Sequence, residues 1–336
     1  MPAKTPLLTI GIPSYRRPAE VAALVGDMLA GGVGEVARIL VIDDGPDADV
    51  QAALAPFAER IHLHVHVENR GYAGTFADLF ALCDTPWLMV TADDDYPDAD
   101  EIRRTAELLR EHPVDFASTL FPDRHGAIYR GRRSMAAISL AEIRWASGHA
   151  PGLVYRVATA RRLLPFLTDR LAQDCYAAKI YPQTVLAYLL CFSAPACRWL
   201  PTAPFREGAE RPSGLRDKDG TRYNSVAGRM REQLAYTGMF AAMADFLDTP
   251  AARDRINAVA RIHAQDIYRR LTREIRREHP EVIEDWLAGS FYFNRRGLPG
   301  HLLRLGRWLR ARRAARATLR ATDRARGAVP PETPRK

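Results

Sequence analysis

The chain has 336 residues, of which 47% are hydrophobic, and this length predicts two domains or one large domain with an appendage around a full core. The formal net charge is +8, but residues 295–336 alone carry +11, so residues 1–294 carry −3. The excess of positive charge therefore lies in the tail. The net charge of the whole chain consequently says little about what the main domain binds.

The cysteines and the apolar runs indicate the compartment. None of the four cysteines belongs to a C-x-x-C pair, which favours reduced and mostly buried thiols in a cytosolic protein. The N-terminal apolar stretch leads into a turn and not into a cleavage site, so no signal peptide is expected. The longest apolar run, residues 187–197, is too short to span a bilayer.

The first hundred residues alternate between short apolar strands and helical patterns. Pro18 opens the first helix and Gly31-Gly32 ends it. The predicted strands are Leu7–Ile12, Arg38–Ile42, Ile61–Val67 and Trp87–Thr91, and the other predicted helices are Val50–Ala58 and Phe76–Cys83. Apolar strands joined by helices predict a mostly parallel sheet with helices on both faces, which is an α/β fold.

Polar motifs follow each of these strands. They are Pro13–Arg17, Asp43-Asp44, Asn69–Gly71 and Asp93–Asp95. Ligands of parallel sheets bind beyond the carboxyl ends of the strands, so we expect the four loops to meet at one crevice.

The run Asp93–Asp95 places three carboxylates on adjacent residues at the end of a buried strand. Such carboxylates repel one another, and a bound cation would neutralise them. Hard oxygen ligands suit Mg²⁺ or Mn²⁺, which commonly bridge to substrate phosphates. The alternative is a solvated acidic turn, because Asp is common just after strands.

The second half of the chain becomes progressively helical. It begins with a predicted helix at Glu101–Glu111, a strand at Asp115–Leu120 and a polar loop or hairpin at Gly126–Arg133. The next predicted elements are a strand at Leu153–Val157 and a helix at Tyr181–Phe192. The predicted division is a main domain over residues 1–220, a helical extension over 221–294, a basic amphipathic helix over 295–326 and a disordered tail over 327–336.

The order and spacing of the four motifs resemble family 2 glycosyltransferases with the GT-A fold. The resemblance covers about the first 120 residues and rests on Ile12–Pro18, Val41–Gly45, Asn69–Gly74 and Asp93–Asp95. The later Tyr181-Pro182-Gln183 is similar to the subset that builds bacterial O-antigens and other surface polysaccharides. This resemblance implies an inverting transfer from a nucleotide-sugar, UDP- or dTDP-linked, to a hydroxyl of a cell-surface glycan or lipid-linked acceptor.

The resemblance also implies roles for the first two motifs. Pro13 and Tyr15 would line the base pocket, with the Tyr15 ring against the base. Arg17 would approach the diphosphate. Asp44, together with Asp43, would hydrogen-bond the edge of the base. A turn after a strand is the alternative for this pair.

The other two motifs would hold the rest of the donor. Asn69–Gly71 would contact the nucleotide-sugar, with Arg70 replacing the basic residue that members carry on the following helix. The alternative is a purely backbone role for Asn69 and Gly71 in left-handed conformations. Asp93 would face the ribose, and Asp94 or Asp95 would ligate the divalent cation, Mg²⁺ or Mn²⁺.

Inversion requires a base that takes the proton of the acceptor hydroxyl. Family members often carry a Glu-Asp pair for this purpose, and this chain has none before Tyr181. Asp174, seven residues before Tyr181, is the first candidate, and His149 is the second.

Two other functions stay open. One is a catalytically inactive sugar-nucleotide-binding scaffold, because the Glu-Asp pair is missing. The other is a nucleotidyltransferase on a similar sheet, although the first loop lacks a Gly-rich phosphate cradle. No G-x-G-x-x-G follows the first strand, which argues against a dinucleotide-dependent oxidoreductase. His62, His64 and His66 would form an exposed strand face, because three His along one strand span too far to chelate one ion.

Residues 295–326 combine leucines at helical spacing with a dense set of arginines. This composition is typical of an interfacial helix on anionic lipid, where a polyprenyl-linked acceptor would also lie. We therefore expect a cytoplasmic protein, peripheral at the inner face of the cytoplasmic membrane. The alternative for this segment is a solvated basic helix that packs on its own domain. A nucleic-acid partner is not expected, because the remaining surface is net acidic and no groove-reading motif is present.

Overall fold

The computed structural model describes residues 6–45, 48–194, 196–208, 222, 224–284 and 286–287. The predicted basic helix at 295–326 and the predicted disordered tail at 327–336 lie outside these residues. The chain divides into two compact units, Met1–Ser213 with Arg231–Ala264 and Gly214–Met230 with Gln265–Lys336. The predicted division at residue 220 stays a prediction.

Strands and helices alternate over the N-terminal half. The strands are β1 (Leu8–Ser14), β2 (Ala37–Asp43), β3 (His62–Val65), β4 (Trp87–Val90), β5 (Tyr96–Pro97), β6 (Phe116–Thr119), β7 (Phe121–Pro122), β8 (Ile128–Arg130), β9 (Leu153–Arg156), β10 (Cys197–Leu200) and β11 (Phe205–Arg206). The helices are α1 (Pro18–Ala30), α2 (Ala48–Leu54), α3 (Gly71–Leu82), α4 (Ala99–Glu111), α5 (Ile143–Ser147), α6 (Val157–Ala172), α7 (Tyr176–Ile180), α8 (Pro182–Ser193), α9 (Val226–Leu247) and α10 (Pro250–Glu278).

Seven strands form the main sheet in the order β10-β6-β9-β4-β1-β2-β3. The pairs of β1 with β2, β1 with β4, β2 with β3 and β6 with β10 are parallel. Strand β9 runs antiparallel to both of its neighbours, β4 and β6. The predicted α/β fold with a mostly parallel sheet is confirmed. The reversal of β9 brings its first residues to the edge of the sheet where β4 ends.

The sheet is buried on both faces, which is why its strands carry continuous apolar runs. Strand β4 sends Leu88 and Val90 into the apolar cluster on one face and Trp87 and Met89 into the cluster on the other. Helices α3, α6 and α8 cover the first face, and α1 and α4 cover the second. The sheet is therefore a rigid base, and its carboxyl edge is the place where polar loops can lie.

The observed bounds of α1 agree with those predicted from the sequence, whereas the observed start of α3 differs from the predicted one. Pro18 occupies the first turn of α1, and Gly32 follows the helix with a φ of 75°. Helix α3 begins five residues before the predicted start, at Gly71, whose φ of 70° suits glycine. Among the described helices, none combines the length and apolar character needed to cross a membrane.

Candidate functional site

The loops after β1 and β2 are joined by backbone and ring contacts. The amide of Asp44 donates to the carbonyl of Ser14 at 2.8 Å. Tyr15 is 40% exposed and lies so close to Gly45 that a β-carbon there would stand 3.4 Å from the ring. The Arg16 guanidinium is 5.1 Å from the centre of the same ring. A cleft of about 170 Å³ opens here, lined by Arg16, Pro18, Asp43, Gly45, Asp49 and Val50.

Asp44 is a nearly buried carboxylate held by two donors. Its Oδ1 accepts hydrogen bonds from His66 Nδ1 at 2.8 Å and from the backbone amide of Arg70 at 2.8 Å. His66 Nε2 lies 3.0 Å from Asp78 Oδ2, which is ion-pair distance without hydrogen-bond alignment. The Arg70 guanidinium also pairs with Asp78. The loop after β3 is thereby fixed to the end of β2.

The expectation of an exposed histidine face is wrong for His66. Only His62 is exposed, His64 is half-buried, and His66 is 6% exposed. Strand β3 ends at Val65, and the His66 amide donates to the carbonyl of Asp43 at 2.9 Å. The ring therefore turns inward, where two carboxylates meet it.

The acidic loop after β4 is bound to the loop after β1. Asp93 Oδ2 accepts from the Ser14 hydroxyl at 3.1 Å, and Asp93 Oδ1 accepts from Arg17 at 3.1 Å. The same Arg17 nitrogen donates to Asp94 Oδ2 at 2.9 Å. Asp95 Oδ2 accepts from the Thr91 hydroxyl at 3.3 Å and from the Ala92 amide at 3.1 Å. With the links described above, these contacts confirm that the four loops converge.

Two arginines of the chain neutralise part of the negative charge of the acidic loop, for which the sequence predicted a bound cation. Arg17 bridges Asp93 and Asp94. Arg130 is fully buried, and burial lowers its pKa to about 10, against the opposing effect of nearby groups that include Asp95. Adjacent carboxylates are therefore tolerated here partly because Arg17 pairs with two of them and the positive charge of Arg130 acts on the third.

Asp94 and Asp95 offer two carboxylates to a divalent cation and do not form a closed cage around one. Within the described part of the chain, no group of three His, Cys, Asp or Glu side chains is placed to hold a metal ion. Mg²⁺ is commonly bound by one or two carboxylates, with substrate phosphates and water completing its shell. Arg17 contacts Asp94 Oδ2, so this arginine would have to release that oxygen to a cation.

Pro13 pairs across the sheet, whereas Asn69 and Gly71 contact each other. Pro13 lies opposite Ile42 in the sheet and is half-buried. The side-chain oxygen of Asn69 accepts from the amide of Gly71 at 2.9 Å, just where α3 begins. Any contact of these three residues with a nucleotide stays a prediction.

The two candidate bases lie in different surroundings. Asp174 follows α6 with a φ of 58°, its side chain is 83% exposed, and it pairs with Lys179. No described contact joins Asp174 to the four loops. His149 is exposed in the loop before β9, and its carbonyl accepts from Arg130 at 2.6 Å. Gly152, at the end of that loop, donates its amide to the Val90 carbonyl at 2.8 Å, beside the start of the acidic loop.

Three residues of the candidate site were not predicted from the sequence. His66 and Arg130 are described above, and Gly208 is the third. A β-carbon at Gly208 would overlap the carbonyl oxygen of Asp94, so this glycine lets the segment after β11 lie against the acidic loop. A glycine among charged residues in a predicted loop was the available signal for this contact.

Residues 9–167 match the model of the family described as Glycosyl transferase family 2. Among curated proteins, no sequence gives a significant match. The structure of Staphylococcus aureus TarS 1–349 in complex with UDP-GlcNAc is similar at a TM-score of 0.51 and 16% identity, covering 81% of this chain and 92% of that one. The mannosyltransferase PcManGT from Pyrobaculum calidifontis, in complex with GDP-Man and Mn²⁺, gives 0.50 at 17% identity, covering 92% and 81%. At these identities the likeness is one of fold.

Proposed function

Because residues 9–167 form a family 2 glycosyltransferase domain on a GT-A fold, we propose that the chain transfers a sugar from a nucleotide-sugar to a hydroxyl with inversion. The donor would be UDP- or dTDP-linked, and the acceptor would be a cell-surface glycan or a polyprenyl-linked sugar. Glycosyl transfer as the class of activity follows from the family. The stereochemistry, the donor and the acceptor are the proposal.

The observation that carries the proposal is the contact of four polar loops at the carboxyl edge of one sheet. Tyr15 offers a ring for a base, and the nearly buried Asp44 offers a carboxylate. Uracil and thymine carry an N–H between two carbonyls, and a carboxylate is a matching acceptor for it. The neighbouring Arg17 and acidic loop are suited to the sugar and diphosphate.

In the proposed reaction, the acceptor hydroxyl oxygen forms a bond to the anomeric carbon from the face opposite the diphosphate. The bond from that carbon to the diphosphate oxygen breaks, and its electron pair leaves with the nucleoside diphosphate. The hydroxyl proton passes to a base, for which His149 and Asp174 are the candidates. A divalent cation held by Asp94 and Asp95 would supply charge neutralisation to the leaving diphosphate.

Release of nucleoside diphosphate tests the function. The purified chain with Mn²⁺ should release it from at least one of UDP-, dTDP- and GDP-linked sugars, and EDTA should stop the release. Asp94→Asn with Asp95→Asn should lower the rate by about a hundredfold or more, because the leaving charge loses its counterion. Asp100→Asn, which changes a carboxylate that is 92% exposed on α4, is the matched control. Binding without turnover would favour the inactive scaffold, and full activity in EDTA would contradict the metal assignment.

A further inference from the structure

Three aromatic side chains stand exposed together on β8, α5 and the loop before β9. Tyr129 is 57% exposed and Trp145 is 42% exposed, and His149 is exposed beside them. We propose that this aromatic shelf, defined as Tyr129, Trp145 and His149, binds a pyranose ring of the glycan acceptor. The proposal rests on the proposed function, because it assigns the acceptor side of the same reaction.

The three rings are held in one arrangement by direct contacts. The rings of Tyr129 and His149 are 4.6 Å apart and steeply inclined to each other. The indole N–H of Trp145 donates to the carbonyl of Tyr129 at 3.3 Å. The ring of Trp145 also lies 4.8 Å from the fully buried ring of Trp199. One side of the shelf is therefore anchored in the core, and the other side faces solvent.

Two arginines, Arg130 fully buried and Arg144 partly buried, fix the segments that carry the shelf. Arg130, next to Tyr129, donates to the carbonyls of Thr119 at 3.3 Å, of His149 at 2.6 Å and of Pro151. Arg144, next to Trp145, pairs with the buried Glu232. Burial works to lower the pKa of Arg144, but the charge and hydrogen bond of Glu232, together with Tyr236 and Tyr188, outweigh burial and raise that pKa. Because these hydrogen bonds and this ion pair fix the backbone, the exposed rings are preorganised for a ligand.

The order of strands places the shelf opposite the nucleotide loops. Strand β4, which leads into the acidic loop, lies between β1 and β9 in the sheet. The loops proposed to hold the nucleotide follow β1, β2 and β3. The shelf lies on the other side, around β8 and the start of β9, where Gly152 bonds to Val90. A sugar on the shelf would therefore approach the acidic loop from the side that the donor nucleotide leaves open.

The chemistry of the shelf fits a sugar. A pyranose ring has an apolar face of C–H groups and a rim of hydroxyls. Aromatic rings bury the apolar face, while the His149 ring can hydrogen-bond to the rim. Large aromatics exposed together are unusual on a monomer and commonly mark a binding site.

Saturation-transfer NMR with neutral trisaccharides tests the shelf. We would irradiate the aromatic protons of the full chain in the presence of Mg²⁺ and UDP or GDP, with chitotriose, cellotriose or mannotriose as the probe. The wild type should transfer saturation to the ring protons of at least one probe. Trp145→Ala and Tyr129→Ala should each weaken its binding by about tenfold, as for removal of an aromatic anchor, and Trp145→Phe should recover part of the loss. Phe246→Ala, which removes a ring of similar exposure on α9, is the matched control.

Nucleotide affinity separates this inference from the proposed function. Affinity for UDP and GDP should stay within about twofold in the shelf variants, a change of about 0.4 kcal/mol. If the shelf variants lost nucleotide affinity as strongly as trisaccharide affinity, the rings would belong to the donor site and the inference would be overturned. Undiminished saturation transfer in the alanine variants, or none in the wild type with any probe, would also overturn it. A wild type that binds no nucleotide would instead contradict the proposed function.

Discussion

Asp44 uses its two carboxylate oxygens differently. Both of its hydrogen bonds within the described chain end at Oδ1, where His66 and the amide of Arg70 donate. This leaves Oδ2 as the acceptor for a ligand. On the proposal that Asp44 binds the nucleotide base, His66 is a positioning residue, because it fixes the plane of the carboxylate.

Two substitutions of His66 should separate its two contacts. The amide of Asn takes the place of Nδ1 and can still donate to Asp44, whereas the amide of Gln takes the place of Nε2, near Asp78. We expect His66→Gln to weaken UDP or GDP binding by about tenfold and His66→Asn by about threefold or less, corresponding to about 1.4 and 0.7 kcal/mol. Isothermal titration calorimetry measures both. The exposed His62→Gln is the control, and equal affinities in the two His66 variants would refute the positioning role.

The catalytic base can be identified from kcat. Loss of a general base costs about a hundredfold or more in kcat while leaving donor binding intact. We expect His149→Ala to have the larger effect, because its loop adjoins the acidic loop whereas Asp174 is exposed and paired with Lys179. Single-turnover kinetics at saturating donor would measure the step. A strong loss of kcat in Asp174→Asn with near-normal His149→Ala would reverse the assignment.

At the level of elements, the sequence predicted where the strands lie along the chain better than the direction in which each strand runs in the sheet. Apolar runs located β1, β2 and β4, and the polar residues after them located the site. The antiparallel direction of β9 was not predictable, because Leu153–Tyr155 is buried on both faces and carries no directional pattern. Strand β10 was also missed, because its residues adjoin the apolar run of α8.

The same limit applies to side chains that act across long sequence separations. Arg130 contacts three carbonyls from two other segments, and a lone arginine in a basic hairpin gives no sign of this. Gly208 lies against Asp94, more than a hundred residues earlier in the chain. Such contacts depend on the assembled sheet and not on local pattern.

Helix α5 offers a test of pH dependence. Glu142 accepts hydrogen bonds from Ser139 and Arg132. Partial burial works to raise its pKa, but these bonds outweigh burial and hold the pKa of Glu142 below 4.5. A lowered pKa contributes stability that is present above the unfolded value and is lost as pH falls through the folded value.

Glu142→Gln should therefore destabilise the chain by about 1 kcal/mol at pH 7, which is modest because the group is partly exposed. The difference from wild type should shrink as pH falls below 4.5. Urea denaturation at pH 7 and at a series of lower pH values measures it. The exposed Glu107→Gln on α4 should show no such convergence, and a Glu142→Gln difference that grows in acid would contradict the sign.

For the whole molecule, the uneven charge is the feature with a direct test. Residues 295–336 carry +11 and lie outside the described residues, and an interfacial role on anionic lipid stays a proposal for them. The full chain should sediment with vesicles containing phosphatidylglycerol at low salt and be released as salt rises. Replacing Arg304, Arg307, Arg310, Arg312, Arg313 and Arg316 by Gln should abolish sedimentation while nucleotide affinity is retained. Equal sedimentation of both proteins would remove the membrane role from this segment.

The position of β9 between β4 and β6 has a consequence for synthesis on the ribosome. Strands β1 to β4 can pair with one another as soon as Val90 has emerged, since they are neighbours at one end of the sheet. One side of β4 then stays unpaired until Leu153 arrives, although all four of its residues are apolar and buried in the finished fold. An unpaired apolar edge is a template for association with other chains. Nascent chains halted between these two points should therefore depend on chaperones far more than the completed protein does.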